Sequence, residues 1–132
     1  SQLYCGTRHP LFNRTDEEIS IEQLSDYDFI APGYDHAVVL KEHFPVLDPT
    51  ATSYQVEGIA TLVLSGKYIG FLPTHYAAQW ADRKEMRALL PDTLSYQIPF
   101  KAITRRDAQP NLLRSAFLSA LGNANGRIEV SE

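Results

Sequence analysis

Val56-Glu57-Gly58-Ile59-Ala60-Thr61-Leu62-Val63-Leu64-Ser65-Gly66-Lys67-Tyr68-Ile69-Gly70-Phe71-Leu72-Pro73 is the stretch that decides the fold class. Val56, Ile59, Ala60, Val63 and Leu64 recur at i, i+3, i+4, i+7 and i+8, one apolar face of a 3.6-residue period. Glu57 lies in the first turn, where the helix dipole favours a negative charge. Gly66 follows the last apolar position and is a natural left-handed terminator. The pattern then changes to a short continuous apolar run, Tyr68 to Leu72, which reads as a buried strand closed by Pro73.

The same alternation extends outward on both sides. Upstream, Asp28-Phe29-Ile30-Ala31 reads as a buried strand stopped by the turn pair Pro32-Gly33. Asp35 is placed to cap a helix from about His36 to His43, with Val39 and Leu40 inward, and Pro45 ends it. Ala51 to Tyr54 is a weak strand. Downstream, Thr74 is placed to cap a helix over about 75–82. A strand, helix, strand, helix order at this spacing predicts right-handed βαβ units in a mostly parallel sheet flanked by helices, an α/β fold.

Nearer the start, Leu3-Tyr4-Cys5-Gly6 reads as a strand ending before His9-Pro10. Residues 13–18 form a polar surface loop, and Ser20 with Gln23 matches a capping box for a short helix at about 21–25. After Pro91, the segment Leu94 to Arg105 contains an extended run, Ile98 to Thr104, in which Pro99 suits an edge or a strand start. Pro110 opens a helix to about Leu121 with an apolar stripe of Leu113, Ala116, Phe117, Ala120 and Leu121, and Gly122 is expected to stop it. Asn123 to Glu132 is polar and expected to fray.

Composition narrows the function classes. The 132 residues carry 12 Lys+Arg and 16 Asp+Glu, a net charge of −4, and 44% are hydrophobic. That length fits one domain or less, and that hydrophobic share excludes wholesale disorder. An acidic chain lacks the basic footprint that phosphate neutralisation needs, so it is not expected to bind nucleic acid by itself. No apolar run is long enough to span a bilayer, so no membrane partner is expected. No signal-peptide pattern lies near Ser1. The single Cys5 supports neither an internal disulfide nor a Cys-based zinc site, so a reducing cytoplasm is the simplest compartment.

Catalytic and metal patterns are weak. His36 and His43 share a helix face but stand about 10 Å apart along its axis, too far for one metal ion. No Gly-x-Ser-x-Gly elbow occurs, and Leu64-Ser65-Gly66 is a helix end. Asp16-Glu17-Glu18 reads as a solvated charge run. Gly66 to Gly70 precedes a strand instead of opening a helix, so it fails the context of a dinucleotide loop. No enzyme activity, cofactor or metal is expected.

Binding geometry is better supported. In an open α/β sheet, ligands sit beyond the carboxyl ends of the strands, where loops enter helix N-termini and free N–H groups favour anions. Three places meet that description. Pro32, Gly33 and Tyr34 lead to Asp35; Tyr54 leads to Gln55 and Val56; and Phe71, Pro73 and Thr74 close the third strand. Ordinary turn and capping work accounts for the same residues. Asp35 and Glu57 nearby disfavour a purely anionic ligand and suit one that also carries a donor.

The order of these pieces resembles the C-terminal part of the effector-binding domain of LysR-type transcriptional regulators. Leu3 to Leu11, with its His9-Pro10-Leu11 ending, is similar to that family's crossing strand. Leu24 to Ile30 resembles the helix, short loop and apolar strand that follow. Leu62 to Pro73, with Gly66, Ile69, Gly70 and Leu72-Pro73, resembles the family's helix, Gly, Gly-containing strand and Leu-Pro. Leu94 to Leu121 resembles the return strand, a polar turn with Arg105-Arg106 and the last helix. The likeness covers about residues 3–121.

The resemblance implies a lobe like that of a type 2 periplasmic binding protein. It implies that residues 1–97 are the second lobe of a two-lobed effector domain. Residues 98–121 would be a return strand and last helix belonging to the first lobe, and 122–132 a disordered tail. It implies a small-molecule effector, contacts that include Thr7 near the crossing strands, and DNA contact only through an N-terminal domain absent from this chain. The helix starts suit a polar or carboxylate-bearing effector, and a homo-oligomer is expected. The alternative on the same plan is a lobe of a solute-binding protein or of an enzyme. Without a first lobe to cover it, the stripe of the last helix is expected to be exposed and to favour association.

Overall fold

The computed structural model describes residues 1–33, 36–97, 102–104 and 111–125. The chain divides into two units, Ser1–Gln97 and Ile98–Glu132.

In the first unit five strands form one sheet: β1 (Gln2–Gly6), β2 (Asp28–Pro32), β3 (Pro49–Ser53), β4 (Tyr68–Leu72) and β5 (Met86–Ala88), in the order β3-β2-β4-β1-β5. Three helices connect them: α1 (His36–His43), α2 (Val56–Leu64) and α3 (Thr74–Ala81). β2 pairs in parallel with β3 and β4, whereas β1 pairs antiparallel with β4 and β5. The sheet is therefore mixed, and β1 is the reversed strand. The expectation of parallel pairing rests on crossover helices, which constrain only the strands they join. β1 reaches β2 through residues 7–27, which hold only short 3₁₀ turns, Asp16–Glu18 and Glu22–Asp26, and leave its direction free.

Side chains alternate between the two sheet faces along the central strands, as a two-residue period requires, and nearly all of them are buried. Leu3, Cys5, Phe29, Ala31, Ile69 and Phe71 point to one face; Tyr4, Ile30 and Leu72 point to the other. Both faces are covered, which is why these strands read as continuous apolar runs. On the second face lie Ile59, Ala60 and Val63 of α2, with Ala77 of α3. On the first face lie Leu40 of α1 and the loop residues Leu11, Ile19, Leu24, Leu47, Leu89 and Leu94. Arg87 ties one of these loops to the sheet edge, donating to the Arg14 carbonyl and the Asp16 carboxylate.

The long apolar helix forms as the period predicts, and Gly66 takes φ +77° just beyond it. A Cβ there would also come within 2.4 Å of Arg8 Cβ, so both conformation and space demand glycine. Ser20 and Gln23 exchange their expected bonds: the Gln23 N–H donates to Ser20 Oγ at 3.4 Å and the Ser20 N–H to Gln23 Oε1 at 3.5 Å.

Other boundaries differ. Residues 16–18 form a 3₁₀ turn inside the expected loop, with the Thr15 N–H donating to Glu18 Oε2 at 2.8 Å. In α1, Leu40 is buried but Val39 is exposed, because the helix turns about 100° per residue and Leu40 already meets the sheet. β3 begins at Pro49, and Thr50 bulges between the pairs Phe29↔Pro49 and Ile30↔Ala51. Pro73, not Thr74, is the N-cap of α3, and Thr74 is its first helical residue. The cap Asp35 expected for α1 lies outside the described residues.

The second unit contains α4 (Leu112–Asn125). Asn111 caps it, its Oδ1 accepting the Leu113 N–H at 2.8 Å and the Arg114 N–H at 3.4 Å. The helix runs through Gly122, which keeps a negative φ; the positive-φ glycine among the described residues is Gly66. The terminator expected at Gly122 is therefore not used, and Asn123 to Asn125 are helical instead of frayed. Ala102 to Thr104 carry no strand, while residues 98–101, Pro110 and 126–132 lie outside the described residues. On α4, Leu112, Leu113 and Phe117 are 91%, 79% and 63% exposed.

Candidate functional site

The topology selects one end of the sheet. From β2 the chain passes through α1 on the first face to β3, then through α2 on the second face back across β2 to β4. Two right-handed crossovers that step in opposite directions must place their helices on opposite faces. The loops leaving β2 and β4 lead to α1 and α3 on opposite faces, and the space between the carboxyl ends of these two strands is where the open α/β plan puts a ligand crevice.

Gly33 follows β2 at that crevice. Its N–H donates to the Ser53 carbonyl at 2.8 Å, locking the ends of β2 and β3 together. The ring of Tyr54 lies across it: a Cβ at position 33 would come within 2.8 Å of the ring atoms. Tyr54 is itself 67% exposed. Ser53 then organises the entry to α2, accepting the Gln55 N–H at 3.2 Å and donating to the Gln55 carbonyl at 2.8 Å. Gln55 is the N-cap of α2, and its side chain makes no capping bond.

The two helix starts at this end differ in charge. α2 has Glu57 in its first turn, whereas α3, entered through Pro73 and Thr74, has no acidic residue in its own. The partial positive charge of a helix start is thus offset within the first turn of α2, and no acidic residue of α3's own first turn offsets it there. The crevice offers an anion-favouring side near Thr74 and a carboxylate near Gln55.

Both ends of the first unit's chain also arrive here. Because β1 is reversed, Gln2 lies opposite Leu72, at the carboxyl end of β4. Gln2 bridges Ser95, the Ser1 nitrogen donates to the Tyr96 carbonyl at 2.8 Å, and the Tyr96 N–H returns to the Ser1 carbonyl at 3.0 Å. Incoming and outgoing strands therefore lie side by side next to the crevice. The Tyr96 ring packs edge-on against Phe71 at 5.1 Å, and burial pushes its hydroxyl pKa up.

The structure sorts the residues singled out from the sequence. Gly33, Gln55, Pro73 and Thr74 come together at the strand carboxyl ends. Val56 joins them but is half-buried against the α2 side of the core. Pro32 is buried at the end of β2. Phe71 does not line the crevice: it sits within β4, 3% exposed, its ring stacked on Phe44 at 5.2 Å. Tyr34 lies outside the described residues. Thr7 is at the wrong end. It follows β1, five residues beyond Gln2, so it stands about 17 Å away along the sheet, because β1 runs backwards. Tyr54, named from the sequence with Gln55 and Val56, is at this end as well. Gln2 and Tyr96 are the residues here that motif reading passes over, and nothing local marks either.

Comparison with known proteins adds a family. Residues 1–125 match the family model for the LysR substrate binding domain. Over 121 residues, 92% of this chain, the sequence is 37% identical to the HTH-type transcriptional activator BauR of Pseudomonas aeruginosa. The match spans 40% of that relative's length.

Proposed function

From the premise that this chain belongs to the LysR substrate-binding domain family, we propose that it is one wall of the effector cleft of a transcription regulator acting in the cytoplasm. The crevice between β2 and β4 would take a polar or carboxylate-bearing metabolite. Its carboxylate would face the start of α3 at Thr74, and a donor group would face the Glu57 side at Gln55. Gly33, with the ring of Tyr54 across it, would form the apolar floor between these poles.

The observation that supports this reading is the coincidence of the topological switch point with both ends of the first unit's chain. A ligand held there touches the segments through which any second lobe is joined. Closing two lobes on it changes their relative arrangement, and a ligand that binds the closed arrangement better shifts the population toward it. On this reading the lobe is of the type 2 periplasmic-binding-protein kind, residues 1–97 form it, and residues 98–121 contribute to the opposite lobe. DNA contact belongs to a domain outside this chain, and the regulator works as a homo-oligomer.

The test uses the full-length regulator on a reporter promoter across a panel of carboxylate-bearing metabolites. Thr74→Asp places a negative charge in the first turn of α3, which helps the helix but opposes an anionic ligand. The expected result is loss of the metabolite response with DNA binding retained. An unchanged response in this variant would refute the placement of the ligand.

A further inference from the structure

We propose that the sheet face beneath α1 holds a second small-molecule site, separate from the strand-end crevice, for a single aromatic ring with a neutral head that both donates and accepts hydrogen bonds. A pocket of about 240 Å³ lies there between α1, β2 and the segment entering β3. Its floor is Phe29, Ala31, Leu40 and Leu47, each no more than 4% exposed. These side chains are on the sheet face, not at its carboxyl end, so the site is independent of the crevice.

Size and shape set the ligand class. An apolar cavity of about 150 Å³ stays dry and accepts benzene, so this one has room for a ring and one substituent. The pocket does not close over itself, because Phe44 at the end of α1 is stacked on Phe71 of β4 and holds the helix at its height. Phe29, edge-on to Phe71 at 6.1 Å and 88°, presents a fixed aromatic wall. Ala31 leaves the depth. At the mouth Val38 is 61% exposed, an apolar side chain that a ring in the pocket would cover.

The rim sets the head group. Lys41 and Asp48 both border the pocket, and neither makes an ion pair among the described residues. A carboxylate gains Lys41 but is opposed by Asp48, and an ammonium meets the reverse. A primary amide offers its oxygen to Lys41 and its N–H groups to Asp48, satisfying both.

The experiment titrates this chain with benzamide, benzoate and benzylammonium while following its backbone amide resonances. Benzamide is expected to give saturable shifts confined to residues 29–31, 38–41 and 47–49. Benzoate and benzylammonium are expected to bind about two- to fivefold more weakly, the scale of one opposed exposed charge. Val38→Trp at the exposed mouth should remove the shifts with the rest of the spectrum preserved, and Ala31→Leu should do so from the floor. Absence of saturable shifts overturns the proposal. So do shifts centred on residues 33, 54–55 and 73–75, which would assign the ring to the crevice. Pocket resonances that move on dilution of ligand-free protein would assign the pocket to a second copy of the chain, and would equally overturn it.

Discussion

His9 shows how one side chain sets a condition on the whole first unit. Its Nδ1 accepts the Leu11 N–H at 3.2 Å, so the proton of the neutral ring sits on Nε2. That nitrogen is buried without a hydrogen-bond partner among the described residues, and the His9 and Tyr27 rings lie 4.9 Å apart, centroid to centroid. Burial lowers the His9 pKa below its ordinary value, and protonating Nδ1 would break the bond to Leu11. The unfolded chain keeps the ordinary value of about 6.5, so the contribution of His9 is complete above that pH and is lost as the pH falls below it. The melting temperature should drop between about pH 7 and about pH 5, and less steeply in His9→Gln. An identical slope in the two proteins would exclude His9 as the cause. Cys5 has a parallel environment without a parallel role: burial, partly countered by Arg87 and reinforced by Asp16, pushes its thiol up to about 12, a structural and unreactive state.

Among the elements, those with a strong local period are the ones that read directly. α2 and β4 carry it, and the terminator between them is a residue that only glycine can supply. Gly66→Ala faces both a left-handed backbone and the close Cβ of Arg8, so it should destabilise by at least about 1 kcal/mol in chemical denaturation. A loss well below that would mean the turn rearranges freely. Where the local signal was shared by two outcomes, tertiary contact decided. Val39 and Leu40 are equally apolar, but Leu40 meets the sheet; Gly122 is equally suited to ending a helix, but nothing beyond it forces a turn. The direction of β1 was not legible at all, because a strand's own residues do not encode which way its neighbours run. That blind spot is what misplaced Thr7 and hid Gln2.

At the scale of the molecule, the placement of the loops at the carboxyl ends of β2, β3 and β4 was legible because it follows from the strand–helix order, a rule of chain geometry and not of any one residue. Tyr96 was not, because its place depends on a bond pair with Ser1 at the other end of the unit. The same scale governs association. Leu113 and Phe117 stand exposed on one face of α4, the stripe expected from the sequence. An apolar face of that kind drives self-association. Sedimentation of this chain should show mass rising with concentration, and Leu113→Asp with Phe117→Asp should restore a monomer. Monomeric behaviour of the parent chain at all concentrations would contradict this.

The central claim is that the carboxyl ends of β2 and β4 form one wall of a cleft whose other wall lies in the rest of the regulator. Thermal-shift measurement of a metabolite that stabilises the full-length protein tests it most directly, made in parallel on the full-length protein, its Thr74→Asp variant and this chain alone. The account predicts a clear rise in melting temperature for the full-length protein, little or none for the variant, and little or none for the isolated chain. An equal rise in the isolated chain would contradict it, because a single wall would then be the whole site.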